Sequence, residues 1–476
     1  MAKARAKVER GDFQTPLGLA RAVTRLLSSQ GVEPRSVLEP TCGRGAFLQA
    51  AAEVFGAASL RGLEIDEDHA REARRAAPSA RVEVADFFRT DWDQIARELA
   101  EPILVLGNPP WVTSAGLGAI DGDNAPSKSN DARLRGLDAR TGRANFDISE
   151  WMLGRLLDAL AGREATIAVL VKSSVIRRLV ERCAVRGPSA AGAVYRFDAR
   201  AHFDASVDAA LLVVSPPLGR GAGAPAASWP VFDSLESRSP SSALAYVGGA
   251  VVPDLERWAR TEHLRREGKG AWRSGIKHDC AEVFELEVRG AALARRDGAV
   301  VDVEEDVVFP LLKGGDLDAG VLTPRRALIV PHRALTETET LARCPRARGY
   351  LEQHAERLGR RRSSIYEGRP QTAIFGVGPY SFAPFKVAVS ALSKRLAFQL
   401  VGPWRGRPVM LDDTCYFVPF DDEISAARAV SALNGEEAID FFEARRFVED
   451  KRPITKRLLD SLALERLTSA ADESSR

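Results

Sequence analysis

Asn108-Pro109-Pro110-Trp111, directly after the apolar run Ile103-Leu106, is the stretch of the chain with the most pointed chemistry. Two consecutive prolines fix φ and remove two backbone donors, so the segment cannot continue as a central strand and holds a rigid extended loop. Carbonyl acceptors are left over, one on the side chain of Asn108 and one on the backbone of Pro109. Two acceptors converging on a conjugated amino group take up both of its N–H bonds and favour a pyramidal nitrogen. The lone pair of that nitrogen is then a nucleophile. Trp111 adds a flat face on which a planar ring can stack.

A second constellation lies upstream. Ser36-Val37-Leu38-Glu39-Pro40-Thr41-Cys42-Gly43-Arg44-Gly45 reads as a buried strand, a tight glycine turn and the start of a helix over 46–55. Glycines there let backbone approach a ligand closely at a helix N-terminus. About twenty residues on, Glu64 in Gly62-Leu63-Glu64-Ile65-Asp66 ends the next strand, where a carboxylate binds ribose hydroxyls. The third glycine of a dinucleotide fingerprint is missing, which points to a nucleoside cofactor. After the third strand, Asp86-Phe87-Phe88 offers an acid for an adenine amino group and a ring to cover its face. Phe13-Gln14-Thr15-Pro16 precedes a helical run over 17–27, with Thr15 expected as N-cap and Pro16 as the first helical residue.

The elements that position these residues follow from periodicity. Short apolar runs alternate with helical stretches over 36–216, the pattern of an α/β domain with a mostly parallel sheet covered on both faces. The expected strands are 36–39, 60–65, 81–85, 103–106, 166–171 and 209–214. Thr113 to Asn145 is polar and too long for an ordinary connection, which marks it as a mobile functional loop. GRGAGAPAAS, Gly219 to Ser228, is small and aperiodic, so the domain boundary is expected there. The division is then a first domain over 1–218, a linker over 219–229, an α+β domain over 230–468 and a frayed tail over 469–476. In the second domain, 283–288, 327–330, 386–389 and 415–418 read as strands, and 424–433 and 438–447 as helices.

Taken in order, Phe13-Gln14-Thr15-Pro16, Glu39-Pro40-Thr41-Cys42-Gly43-Arg44-Gly45, Glu64-Ile65-Asp66, Asp86-Phe87 and Asn108-Pro109-Pro110-Trp111 resemble the motifs of the gamma-class, TaqI-type adenine-N6 DNA methyltransferases. The resemblance implies a Rossmann-like class I methyltransferase sheet and S-adenosylmethionine as cofactor. Phe13, Gln14, Thr15, Glu39, Thr41, Gly43 and Gly45 would enclose its methionine part, Glu64 and Ile65 its ribose, Asp86 and Phe87 its adenine, with Asn108 at the reacting end. It continues through Ala165-Ser174 and His202-Phe203, where Phe203 takes the role of the aromatic against the target base. Trp111 stands where the family more often carries Tyr and keeps the stacking face.

Looser likeness to target-recognition domains runs through Ser274-Gly275-Ile276-Lys277, Pro310 to Asp316 and Tyr380 to Lys386. Lys277, Lys313, Arg361, Lys386 and Lys394 are the expected phosphate contacts. The implied partner is double-stranded DNA bound by a monomer, with the target adenine turned out of the stack and a separate restriction endonuclease as companion. Alternatives are methylation of an RNA base or a protein glutamine, whose enzymes use a similar Asn-Pro-Pro-aromatic loop, or a catalytically idle DNA-binding subunit.

Composition narrows the field without choosing. The 476 residues are 45% hydrophobic and 28% charged, which excludes a disordered chain. The formal charge is +2, so any basic surface is local. Five scattered cysteines without a C-x-x-C pair argue against a disulfide framework or a structural zinc and fit a reducing cytoplasm. No apolar run approaches the roughly 18–20 residues of a membrane span. Pro253-Asp254 with Glu267-Gly268-Lys269 satisfies a loose nuclease pattern, but Leu255, Trp258 and Ala259 between them have helical spacing rather than the strand that chemistry needs. No cysteine follows a proline, so the nucleophile of cytosine-C5 methyltransferases is absent, and no metal is expected.

Overall fold

The computed structural model describes residues 13–111, 147–186, 190–203, 208–216, 228–266, 268, 270–290, 292–334 and 337–467. The expected loop 113–145, linker residues 219–227 and tail 469–476 lie outside the described residues. The chain divides into two compact units, Met1–Leu255 and Glu256–Arg476.

The first unit is built on helices α1 (Leu17–Ser29), α2 (Ala46–Val54), α3 (Glu67–Ala76), α4 (Trp92–Glu98), α5 (Ile148–Ala159), α6 (Ser173–Arg186) and α7 (Ala199–Phe203). Its strands are β1 (Ser36–Glu39), β2 (Ser59–Glu64), β3 (Arg81–Val84), β4 (Ile103–Gly107), β5 (Ala165–Lys172), β6 (Ala191–Arg196), β7 (Ala209–Ser215), β8 (Ser228–Phe232), β9 (Ser242–Val247) and β10 (Ala250–Val252). They form one sheet in the order β10-β9-β8-β6-β7-β5-β4-β1-β2-β3. Neighbours from β3 through β5 are parallel, and β7 lies antiparallel between β5 and β6. Leu104 and Leu106 of β4 join one apolar cluster with Leu19, Val23 and Leu27 of α1 and Phe47 and Leu48 of α2. Ile103 and Val105 point the opposite way and are also buried, so helices cover both faces, as expected of a strand that is apolar throughout.

β1 pairs with β2 on one side and β4 on the other, so the order of strands reverses at β1. The loops leaving β1 and β4 therefore diverge to opposite faces and open a crevice at the carboxyl edge, which is where open α/β sheets bind ligands. The glycine turn follows β1, and Asn108-Pro109-Pro110-Trp111 follows β4.

Three expectations change. At α1 the carbonyl of Pro16 accepts from Leu19 and Ala20 at 3.0 and 3.1 Å, so Pro16 holds the cap position and Thr15 lies one residue outside it. β6 was not among the expected strands, because AGAVYR is small and weakly patterned. The boundary also falls later than the glycine-rich stretch. β8 pairs in parallel with β6, matching Val194 to Val231 and Tyr195 to Phe232, and β9 and β10 extend the same sheet. Trp229 secures this join: it is fully buried, donates its indole N–H to the Ala190 carbonyl at 3.0 Å, and lies where a Cβ on Gly192 would come within 2.5 Å of its ring.

The second unit is α+β, as expected. One sheet orders Ala292–Ala294, Glu285–Arg289, Arg326–Ile329, Val308–Leu312 and Met410–Leu411, and the other orders Arg273–Ser274, Cys415–Phe420, Phe385–Ser390 and Gln399–Val401. Helices Glu423–Leu433 and Glu436–Glu443 cover the second sheet through Ala426, Leu433, Phe441 and Phe442. The first two residues of the expected strand at 283–288 are helical, ending the helix Ala281–Phe284, and the strand Glu285–Arg289 follows. Among the described residues no helix is long and apolar enough to cross a membrane.

The late boundary is testable by truncation. A fragment ending at Leu255 is expected to melt cooperatively, whereas one ending at residue 218 strips the cover from β6 and from the Trp229 site and exposes an unpaired edge. Scanning fluorimetry with size-exclusion chromatography checks this, and equal melting of the two fragments would remove β8–β10 from the first unit.

Candidate active site

The turn after β1 is built around two carboxylates. Gly43 and Gly45 have φ of +49° and +85°, a conformation side chains disfavour, and Gly45 leads directly into α2. A Cβ on Gly45 would come 2.8 Å from Ala73, so this glycine also allows α2 to pack against α3. Glu64, at the end of β2, accepts from the backbone N–H of Gly43 at 2.8 Å and of Asp66 at 2.9 Å. That ties the two turns together and fixes the carboxylate at the mouth of the crevice. Asp66 caps α3, accepting from Asp68 and His69. Glu39 is buried beneath the turn. Burial pushes its carboxyl well above the usual range, the Leu48 N–H donating at 3.2 Å opposes that, and the nearby charge of Glu64 adds to it. Gln14 reaches across from before α1, accepting from the Arg44 N–H at 3.0 Å over the face of Gly43.

Along the same edge, Ile65 and Val84 are each 51% exposed, an apolar pair at the ends of adjacent strands. Asp86 accepts from the Phe88 N–H at 2.9 Å and pairs with Arg89 at 3.5 Å. Phe87 is buried, 4.3 Å from the Trp92 ring centroid, and lines a narrow cleft with Pro40, Thr41, Gly107, Pro109 and Met152. It is a wall of the cleft rather than an open stacking face.

At the end of β4 the Asn108 amide N–H donates to the Phe13 carbonyl at 2.8 Å. This orients the side chain and leaves its Oδ1 buried without a hydrogen-bond partner. The Thr41 hydroxyl, lining the cleft, is likewise buried and unpartnered. Trp111 donates its indole N–H to the Leu170 carbonyl at 3.1 Å. Its ring lies 5.7 Å from Phe13 and 5.1 Å from Phe203, the latter at 67°, edge to face. The structure thus brings Phe13, Asn108, Trp111 and Phe203 together, with the aromatics closed on one another. Lys172 and Asp147, which the sequence did not single out, also belong to this end: the Lys172 ammonium donates to the Trp111 carbonyl at 2.9 Å and to Asp147 at 2.7 Å. The available signal was a lysine ending an otherwise apolar strand.

The five expected phosphate contacts fare differently. Lys386 is 1% exposed, donates to the Ala383 carbonyl at 2.7 Å, and sits beside the Phe417 ring, so it cannot face a phosphate. Arg361 is also corrected: its guanidinium lies 3.7 Å over Tyr366 and donates to the carbonyls of Leu358, Gln371, Ala373 and His278, holding loops together. Lys394 is exposed, but it donates to the carbonyls of Val448 and Asp450. Lys313 pairs with Glu285 at 2.6 Å; burial raises that carboxyl, but His278 and Lys313 outweigh it and hold it at about 2. Lys277 is partly exposed and 3.4 Å from Asp279.

No protein-family model matches the chain. It is 38% identical over 472 residues to the Type II methyltransferase M.NspV of Nostoc sp., a match that covers 97% of each chain and so runs through both units. It is 34% identical over 111 residues to the Type II methyltransferase M.CvrRI of Paramecium bursaria Chlorella virus XZ-6E, covering 23% of this chain and 27% of that one. Among solved structures, it aligns with the Type IIL restriction-modification enzyme MmeI in complex with DNA, with a TM-score of 0.55 and 12% identity. That likeness of fold covers 96% of this chain and 66% of MmeI, just under two thirds of its length.

The buried Lys386 carries a measurable signature. Desolvation lowers its pKa to about 8, against an ordinary value of about 10.4. Below pH 8 both folded and unfolded chains carry the charge, and burying it costs about 3 kcal/mol. Between pH 8 and 10.4 the unfolded chain binds more protons, so wild-type stability rises with pH. Lys386→Met is therefore expected to be more stable than wild type at pH 7, with the gain shrinking to nothing by about pH 10. Urea melts across that range check it, and a destabilised variant at pH 7 would contradict it.

Proposed function

This chain belongs to the Type II methyltransferases, and from that membership we propose that it methylates the N6 amino group of an adenine turned out of duplex DNA at one specific sequence. Its methyl donor is S-adenosylmethionine. The residues at the carboxyl edge fit that molecule. Glu64 and Glu39 supply acidic acceptors, the Thr41 hydroxyl is a buried group lacking a partner, the glycine turn admits close approach, and Ile65 with Val84 offers apolar surface. In this reading Glu64 and Ile65 take the ribose, Asp86 the adenine side, and Gln14, Thr15, Glu39, Thr41 and the turn the methionine part. When bound, the cofactor supplies an electrophilic methyl group on a sulfonium.

The observation that carries the reading is the buried, unpartnered Oδ1 of Asn108, whose amide N–H is tied to the carbonyl of Phe13, a residue whose ring lies 5.7 Å from that of Trp111. A buried acceptor without a donor costs about 1–3 kcal/mol. An incoming amino group removes that penalty with one N–H, and the Pro109 carbonyl accepts the other. The nitrogen lone pair is then localised and aimed, while no acid, base or metal is required to raise its nucleophilicity. Positioning and fixed dipoles carry the rate. Trp111 and Phe203 take the base between them, which repays part of the roughly few kcal/mol of unstacking. That requires the two rings to part to about 7 Å, twice the ~3.4 Å rise of stacked bases.

The second unit grips the duplex in this reading. With Lys386 and Arg361 internal, an exposed candidate is Arg405, at the tip of a two-residue turn in which Trp404 and Arg407 exchange backbone bonds at 2.8 and 2.9 Å. Arg405 has φ of +49°, and no carboxylate pairs with it among the described residues. Its guanidinium lies 5.8 Å from the Trp404 ring centroid. A restriction endonuclease of the same specificity is the proposed companion, and a monomer the proposed state on DNA. The full-length likeness to M.NspV, extending through the second unit, favours DNA over the RNA and protein substrates of similar loops.

The deciding experiment is nucleoside mass spectrometry of unmethylated plasmid DNA incubated with the protein and S-adenosylmethionine. N6-methyladenine is expected; N4-methylcytosine would change the target base, and no methylated nucleoside would overturn the DNA reading. Asn108→Ala is expected to lower kcat roughly 10²–10³-fold with cofactor affinity nearly unchanged. Arg405→Ala should weaken duplex binding and reduce the slope of log affinity against log salt by about 1; an unchanged slope would remove it from the interface.

A further inference from the structure

The segment 165–174 closes β5 on Lys172, which has no role in the transfer as described above. Its side chain is 20% exposed, and its ammonium makes two bonds, to the Trp111 carbonyl at 2.9 Å and to the Asp147 carboxylate at 2.7 Å. Asp147 is itself 7% exposed and caps α5, accepting from the Ser149 N–H at 3.2 Å and the Ser149 hydroxyl at 2.6 Å. Two residues back along β5, the Leu170 carbonyl holds the Trp111 indole. Trp111 is therefore fixed to β5 at two points, ring and backbone. The backbone point is shared with the cap of the helix that supplies Met152 and Leu153 to the cleft.

We propose that Lys172 is a positioning residue for methyl transfer, acting with Asp147 to lock the Asn108-Pro109-Pro110-Trp111 loop against α5. The inference rests on the assignment of that loop as the binder of the target amino group. Asn108 is anchored at one end by the Phe13 carbonyl, and both prolines have fixed φ. Once Trp111 is also anchored, little freedom remains in the tetrapeptide, and the directions of the Asn108 and Pro109 carbonyls are set. The same ammonium joins the two walls of the cleft, the Gly107 to Pro109 wall and the α5 wall. A largely buried ion pair is weak evidence for stability, since well-packed apolar residues often do as well, and fixing one geometry is its better attested use.

The test uses the full chain. In protein labelled with 5-fluorotryptophan, one fluorine resonance of the seven tryptophans is assigned to Trp111 by its loss in Trp111→Phe. Lys172→Met is expected to shift or broaden that resonance while the other six hold, and Lys172→Arg to restore it. In methylation assays Lys172→Met is expected to lower kcat about 10²-fold, with the KM for DNA and the cofactor Kd within about threefold of wild type, and Lys172→Arg to recover most of the loss. Should Lys172→Met not fold, Asp147→Asn keeps size and cap while removing the charge, and the same two readouts apply. An unmoved Trp111 resonance, or a kcat within about threefold of wild type, overturns the proposal. A fall in kcat that merely tracks the folded fraction overturns it as well. Wild type that methylates no DNA would instead overturn the functional reading, and the fluorine spectra would still decide whether Lys172 positions the loop.

Discussion

One hydrogen bond sets the terms for the candidate active site: the Asn108 amide donating to the Phe13 carbonyl at 2.8 Å. It decides which end of the amide faces the site, and the end it leaves over is an acceptor with no donor. Folding alone would not select this arrangement, because water or a neighbouring N–H would satisfy the oxygen more cheaply. The surrounding structure keeps it that way. β4 delivers Asn108 at the carboxyl edge, two prolines prevent the following backbone from offering N–H groups, and Phe13 is carried in by the segment ahead of α1. Removing any of these lets the amide turn or hydrate.

The same logic runs through the turn after β1. Buried acid is costly, yet Glu39 and Glu64 are kept at adjacent strand ends, each held by backbone N–H groups rather than by arginine or lysine. Glu64, held by backbone donors rather than by a cation, is oriented while still able to accept further bonds, which in the proposed reading come from the cofactor. Burial does most to push Glu39 toward its protonated form, the Leu48 N–H opposes it, and the nearby charge of Glu64 adds to it.

Much of this was legible before any coordinates. β1, β2, β4, β5 and β7 are apolar runs between turn residues, and their positions agree with expectation to within a residue or so. Asn108, Glu64 and the glycine turn were marked by residue types that only a few chemistries need in that order, and Phe203 by the family resemblance alone. What sequence could not show is where long side chains end. Lys386 stands in Phe385-Lys386-Val387-Ala388-Val389, an apolar strand in which a lysine signals burial as much as display, and its ammonium turns back to the Ala383 carbonyl. Arg361 stands in a run of three arginines that reads as surface, and only the tertiary fold shows four carbonyls around it. The extension by β8–β10 was hidden because glycine-rich composition marks a break in packing, not which sheet the next strand joins. Asp147 and Lys172 were hidden for a related reason, since 25 residues of sequence separate two groups joined at 2.7 Å.

The aromatic residues around Asn108 bring these strands of argument together. Phe13, Trp111 and Phe203 lie within 5.1 to 6.4 Å of one another, with no ring face left open on Trp111 beyond its 5% exposure. The unpaired oxygen of Asn108 is itself buried, which preserves its demand for a donor. A solute that brings an N–H but no ring gains one hydrogen bond and must still displace the aromatic contacts, each pair worth about 0.5–1.5 kcal/mol. A planar base carrying an amino group replaces those contacts with stacking of about 1–3 kcal/mol while it supplies the donor. In the proposed reading the aromatic cluster and the orphaned acceptor therefore select jointly for an amino group on a planar ring, and neither would do so alone.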